Sequence, residues 1–180
     1  MTAAELLAHA AFADGSETQA FPSFGSERMG APVVAFCRID DHRIRLREPI
    51  AEPDAVVIQD PTLLHHVDVF GGLVEDGYVL INSARSIAEL GLEELYERTR
   101  SERVVSVAAS EIAREHTGRP IANATLLGAL AGLTGCVSLD SLEAAIGVRF
   151  RGAAATGNAA SARAAFAIIE KEAANVVEPA

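Results

Sequence analysis

Three pairs of polar residues stand where the chain could do chemistry. Gln59 and Asp60 follow the apolar run 55–58, and Asn82 and Ser83 follow the run 78–81. Each pair ends a stretch that reads as a strand buried on both sides, and ligands of open α/β sheets dock at such carboxyl ends. Asp60 also precedes Pro61, which equally suits an aspartate opening the next turn. The third pair, Asn123 and Thr125, follows Pro120 and is placed to cap a helix. Gln59, Asp60, Asn82 and Asn123 are therefore the candidate polar site residues. His65 and His66 beside Asp68 have the donor types of a metal site, but adjacent helical residues do not share a face, so a surface or core-edge role is expected. The sequence contains no G-x-G-x-x-G, P-loop or G-x-S-x-G motif. No spacing supports a Ser/His/Asp or Cys/His arrangement. No residue is assigned a catalytic role.

Composition narrows the classes further. The 180 residues suffice for one sizeable core, and a hydrophobic share of 49% with 22% charged residues belongs to a packed globule. The formal charge of -10 disfavours nucleic acid, whose phosphates need a basic face. No apolar run reaches the roughly 18 residues of a membrane span, and Glu5 stands where a signal peptide would be basic. The two cysteines, Cys37 and Cys136, are too few for a four-thiolate cluster or zinc site made by this chain alone. They are expected to be buried thiols in a reducing cytoplasm.

The elements that must position these residues read as an α/β domain with a largely parallel sheet and one antiparallel hairpin. Thr2, Ala3, Ala4 and Glu5 have the spacing of a capping box opening a first helix, which stops at Asp14 and Gly15. Residues 33–39 and 43–47 are expected to pair as the hairpin, because Arg43, Arg45 and Arg47 alternate with Ile44 and Leu46. Strands are expected at 55–58, 78–81 and 104–107, with a short helix over 62–70 that Gly71 and Gly72 break. Helices are expected over 110–116 and 123–133. Gly128 and Gly132 in the latter would mark close helix–sheet packing. Ser138 caps a helix over 139–146, and a Gly/Ala linker over 152–157 leads to a last helix over 158–172. Residues 1–175 form a single domain and 176–180 a flexible tail.

Between the first helix and the sheet lies a loop unlike an ordinary polar one. Phe21, Phe24 and Met29 surround the adjacent Glu27 and Arg28, bounded by Pro22 and Pro32 and punctuated by Gly25 and Gly30. Such a loop suits a surface that another molecule covers.

Ordered motifs give a resemblance to a known family. Phe21-Pro22-Ser23-Phe24-Gly25-Ser26-Glu27-Arg28-Met29-Gly30-Ala31-Pro32, Arg38-Ile39-Asp40-Asp41, Ile44-Arg45-Leu46-Arg47, Gln59-Asp60-Pro61-Thr62-Leu63-Leu64, Ile81-Asn82-Ser83 and Pro120-Ile121-Ala122-Asn123-Ala124 follow in register. In this order they resemble the gamma subunit, or gamma domain, of 2-oxoacid:ferredoxin oxidoreductases, above all the pyruvate type. The resemblance implies a Rossmann-like fold in a cytoplasmic hetero-oligomer that oxidatively decarboxylates a 2-oxoacid to an acyl-coenzyme A. It implies thiamine diphosphate, Mg2+, [4Fe–4S] clusters and CoA in the complex, carried mainly by alpha, beta and delta-type partner subunits, with ferredoxin or another electron acceptor. It implies a subunit-interface role for Phe21, Pro22, Phe24, Gly25, Glu27, Arg28 and Gly30. Members of that family have a first strand and a Gly-rich loop before the helix that begins here at Thr2, so a longer natural polypeptide is expected. A non-catalytic Rossmann-like module in some other multisubunit complex is the other reading of the same residues.

Overall fold

The computed structural model describes residues 2–23 and 32–177, and of residues 97, 98 and 175–177 the backbone alone. Three strands, β3 (Ala55–Ile58), β4 (Tyr78–Asn82) and β5 (Val104–Val107), form a parallel sheet with β4 in the middle. Two strands, β1 (Glu17–Ser23) and β2 (Val34–Asp40), form a separate antiparallel ribbon. The helices are α1 (Thr2–Ala13), α2 (Glu93–Arg98), α3 (Ala109–Thr117), α4 (Asn123–Thr134), α5 (Leu139–Arg149) and α6 (Gly152–Val177). No helix among the described residues is long and apolar enough to cross a membrane. The α/β class with an appended antiparallel hairpin is as the turn and strand signals require.

The period of two along a strand sends alternate β4 side chains to opposite layers. Leu80 joins a core built with α1, α3, α4, α5 and α6, while Val79 and Ile81 join a smaller core with Ile87, Leu90 and Leu95. All three are fully buried. The three parallel strands fall where continuous β-rich runs bounded by Pro53-Asp54 and Asp76-Gly77 place them. The amino ends of β4 and β5 are joined by Arg103, whose guanidinium donates to the Asp76 carbonyl and lies 4.8 Å from the Tyr78 ring centroid.

Helix α4 has no polar face. Its residues from Ala124 to Ala131 are buried without a break, and it touches α1, α3, α5, α6 and β4. A helix apolar all round belongs at the centre of a domain. Gly128 makes this possible, since a Cβ there would fall on the backbone of Ala162 in α6. Gly132 likewise faces Phe166 and Ile169 of α6. The two glycines thus mark helix–helix rather than helix–sheet contact.

Four other expectations are corrected. Residues 43–47 form no strand, and the partner of β2 is β1, in the register Phe21 opposite Phe36 and Gln19 opposite Arg38. Burial decides the choice, because β1 and β2 lie on α1 and Ile39 packs into the main core, whereas Leu46 is 58% exposed. Residues 152–157 are not a linker but the first turns of α6, where alanine favours helix and Gly157 lets the backbone approach the His116 carbonyl. The helix expected over 62–70 is a single 3-10 turn, Pro61–His65. Cys37 is half-buried and Cys136 exposed, so the thiols are not both interior.

A polar lock joins the two ends of the helical layer. Asp14, one residue past α1, accepts hydrogen bonds from the Ser138 amide (2.7 Å), the Ser138 hydroxyl (2.7 Å) and the Ser141 hydroxyl (2.6 Å). Ser138 Oγ in turn accepts from the Ser141 amide, which makes it the N-cap of α5 as its sequence position requires. The carboxylate also complements the positive end of the α5 dipole. The Ser141 hydroxyl bond foremost, and then the two Ser138 bonds, hold the Asp14 carboxyl below its ordinary value against some desolvation.

Two predictions follow from this packing. Gly128→Ala gains helix propensity but must part α4 from α6, and is expected to lower stability by about 1–3 kcal/mol. Gly147→Ala in α5, where a Cβ would meet nothing within 4 Å, is expected to be neutral or to stabilise by up to about 1 kcal/mol. Urea unfolding of the two variants checks the contrast, and equal effects would refute it. Asp14→Ala is expected to cost about 1 kcal/mol at neutral pH, the order of hydrogen bonds lost at an exposed site. Because the folded-state pKa is depressed, the contribution is present above the unfolded value of about 3.9 and is lost as pH falls through the folded one. The gap between wild type and variant, measured by denaturation across pH 3 to 7, should therefore narrow below about pH 4.

Candidate functional site

The carboxyl ends of β3, β4 and β5 lie side by side, as a parallel sheet dictates. Asn82 ends the central strand and binds both neighbours. Its Nδ2 donates to the Gln59 carbonyl (2.9 Å) beyond β3 and to Ser110 Oγ (2.8 Å) beyond β5. Its Oδ1 accepts from the Ser110 amide (3.0 Å), one of the donors that the first turn of α3 leaves without an intrahelical partner. One side chain therefore spans the three strand ends and caps a helix from a distance. Gln59 Nε2 donates to Asn123 Oδ1 (3.0 Å), which ties the end of β3 to the first residue of α4.

The structure thus brings Gln59, Asn82 and Asn123 into one network, as candidate site residues 23 to 64 positions apart in the chain. Asp60 stands beside them with a different task. Its Oδ1 accepts from the Thr62 amide (3.0 Å) and the Thr62 hydroxyl (2.7 Å), capping the turn Pro61–His65 with Pro61 in its first position. The Thr62 hydroxyl first, and its amide second, hold the Asp60 carboxyl below the usual range. The turn-opening reading of Asp60 is the one observed. Asn123 does not cap α4 through its side chain, and Thr125 is fully buried, so the capping role expected of both is corrected. The N-cap position falls on Ala122, and the Asn123 amide oxygen is taken by Gln59.

Against this network lies a shallow pocket of about 230 Å³, lined by Pro61, Asn82, Ser83, Ala108, Ser110 and Glu111. Ser83 Oγ accepts from the Arg85 amide (3.0 Å). The pocket offers two hydroxyls, an amide and one carboxylate, most of them already bonded within the chain. Sequence reasoning missed Ser110 and Glu111. The rule that selected Gln59 and Asn82, a polar residue just past a buried strand, also points to the residues after Val107.

His65 and His66 are both exposed, their rings edge-on with centroids 6.4 Å apart. Among the described residues no group of three or more His, Cys, Asp or Glu could hold a metal ion. Burial pushes the Cys37 thiol up to about 12, with nearby Cys136 adding to the effect, so at neutral pH it is a protonated thiol and a poor nucleophile.

Of the expected contact residues, Phe21 and Pro22 stand at the end of β1, half-buried. Phe24, Gly25, Glu27, Arg28 and Gly30 lie outside the described residues. The Phe21 ring is 5.4 Å from that of Phe36, and the Arg38 guanidinium lies 5.9 Å from its centroid. Alternation sets this aromatic and arginine face opposite the one that carries Ile39 into the core.

Comparison with known proteins agrees with this architecture over nearly the whole chain. The family model described as pyruvate ferredoxin/flavodoxin oxidoreductase matches residues 1–168. The pyruvate/ketoisovalerate oxidoreductases common subunit gamma of Pyrococcus abyssi is 49% identical, over 92% of this chain and 88% of the relative. Pyruvate synthase subunit PorC of Methanothermobacter marburgensis is 48% identical over the same shares. The crystal structure of pyruvate oxidoreductase subunit PORC from Thermotoga maritima superposes with a TM-score of 0.75 at 33% identity, covering 92% of this chain and 87% of that one. Matched by the family model over most of its length and by gamma-subunit relatives at nearly half identity, this chain belongs to the pyruvate ferredoxin/flavodoxin oxidoreductase family, in its gamma-subunit branch.

Proposed function

We propose that this chain is the gamma subunit of an assembly that converts a 2-oxoacid and coenzyme A to an acyl-CoA and CO2. The two electrons pass to ferredoxin or another acceptor. Pyruvate is the leading substrate, with related 2-oxoacids, aryl ones such as phenylglyoxylate included, drawn from the same chemical class. Thiamine diphosphate with Mg2+ supplies the carbanion chemistry of decarboxylation when bound, and [4Fe–4S] clusters carry the electrons.

The residues of this chain do not fit those groups by themselves. A [4Fe–4S] cluster takes four thiolates, and the sequence holds two cysteines. The described residues supply no carboxylate or imidazole cluster for a metal-bound diphosphate. Both groups are therefore assigned to alpha, beta and delta-type partner subunits.

The observation that carries the reading is the state of the strand-end site. Its volume of about 230 Å³ is below the roughly 300–1,000 Å³ of small-molecule pockets, and its polar groups mostly satisfy one another. Such a site is one wall of a larger cavity. In the assembly the pocket beside Asn82, Ser110 and Glu111 helps enclose the coenzyme A side of the active site. The hairpin bearing Phe21 and Pro22, with Phe24, Gly25, Glu27, Arg28 and Gly30 in the sequence between its two strands, is the contact that brings the partner subunits there.

Isolation of the native complex is the test of assembly. The chain is expected to travel with larger subunits that carry iron and thiamine diphosphate, and to show no 2-oxoacid oxidation alone. Recovery as a stable monomer without such partners would overturn the reading. Arg28→Ala is expected to weaken association about tenfold, as loss of an arginine contact of 1–2 kcal/mol would, with the melting temperature of the isolated chain unchanged. Unaltered association with a lowered melting temperature would assign Arg28 to the fold instead.

A further inference from the structure

Residues 43–47 have the pattern of a strand and are not one. Arg43, Arg45 and Arg47 alternate with Ile44 and Leu46, yet the segment is irregular, with the three arginines exposed and Leu46 58% exposed. Among the described residues, no main-chain group of the segment hydrogen-bonds to another main-chain group outside it. Nor does any of the three guanidiniums have an ion-pair partner there. The ends of the segment, in contrast, are fixed. Before it, the His42 amide donates to Asp40 Oδ1 (2.8 Å), and after it the Glu48 carbonyl accepts from Arg38 Nη1 (2.8 Å). Arg38 also lies over Phe21, so the strap is anchored to the aromatic face of the hairpin.

A stretch patterned for a sheet, pinned at both ends and left with unpaired backbone, is suited to strand addition by another chain. Pinning lowers the ordering cost that such pairing would otherwise carry. Charge selects the partner. The chain as a whole is at -10 and Asp40, Asp41 and Glu48 flank the segment, but in a paired strand Arg43, Arg45 and Arg47 would share one side and make it basic. An acidic edge strand, which the net negative charge of the chain would otherwise repel, meets attraction along that side, and alternating charges fix register as well as place.

We propose that residues 43–47 are a docking strand, pairing main chain to main chain with an exposed edge strand of a partner subunit whose facing side chains are Asp and Glu. The inference rests on the gamma-subunit reading, since the partner is another subunit of that assembly.

Hydrogen–deuterium exchange of the native complex and of the isolated chain is the test, joined to the variant R43E/R45E/R47E. Amides of residues 44–47 are expected to exchange at least tenfold more slowly in the complex. The variant should bind its partners at least a hundredfold more weakly, with the thermal midpoint of the isolated chain unchanged. Equal exchange in both forms overturns the proposal. Concentration-dependent protection in the isolated chain overturns it in favour of a second copy of this chain. Protection by coenzyme A alone overturns it in favour of an anion site. Free exchange in a complex that does carry iron and thiamine diphosphate sinks the docking strand and leaves the functional reading intact. Absence of any such complex sinks both.

Discussion

The contact between α4 and α6 at Gly128 governs what the rest of the chain can do. With a hydrogen in place of a side chain, two helix backbones meet, and α4 can be enclosed on all sides. That enclosure gives Leu80 a helical layer to pack into, while Val79 and Ile81 fill the opposite layer. A central strand buried on both faces has no freedom to shift its register. The placement of Asn82 at its end is therefore inherited from a helix-to-helix contact elsewhere in the molecule.

Asn82 shows why the site resembles a foundation rather than a reaction centre. Both its donor and acceptor functions are consumed in joining Gln59, Ser110 and the first turn of α3. Atoms so engaged hold geometry well and have little left for a substrate. Glu111 is the ionisable side chain among the pocket-lining residues, and a lone carboxylate does not make an acid–base pair. This division suits a subunit whose partners supply the reactive groups.

Much of this was legible in the residues. The parallel strands were readable because Pro53-Asp54 and Asp76-Gly77 mark their starts, and α3 because Gly118 stops it in a left-handed conformation. Gln59 and Asn82 were found by a rule of topology, although their bonds to Ser110 and Asn123 depend on packing that no local pattern records. The hairpin was mispaired because strict alternation in 43–47 gave a stronger local signal than Thr18 to Ser23, whose value comes from lying on α1. In α6, Gly157 looked like flexibility when it serves close approach to the His116 carbonyl. Non-local contact decided each of these cases.

The bonds from Asp14 to Ser138 and Ser141 join residues 124 and 127 apart in the chain. At roughly 5–20 residues per second of synthesis, about 6–25 s separate the emergence of the two sides from the ribosome. Through that interval the first helix can pack on the ribbon that follows it, but the side that meets α4 and α5 still lacks its partners. Helix and ribbon therefore wait for α4 and α5, and the synthesis of residues 123–149 decides when they come into the core.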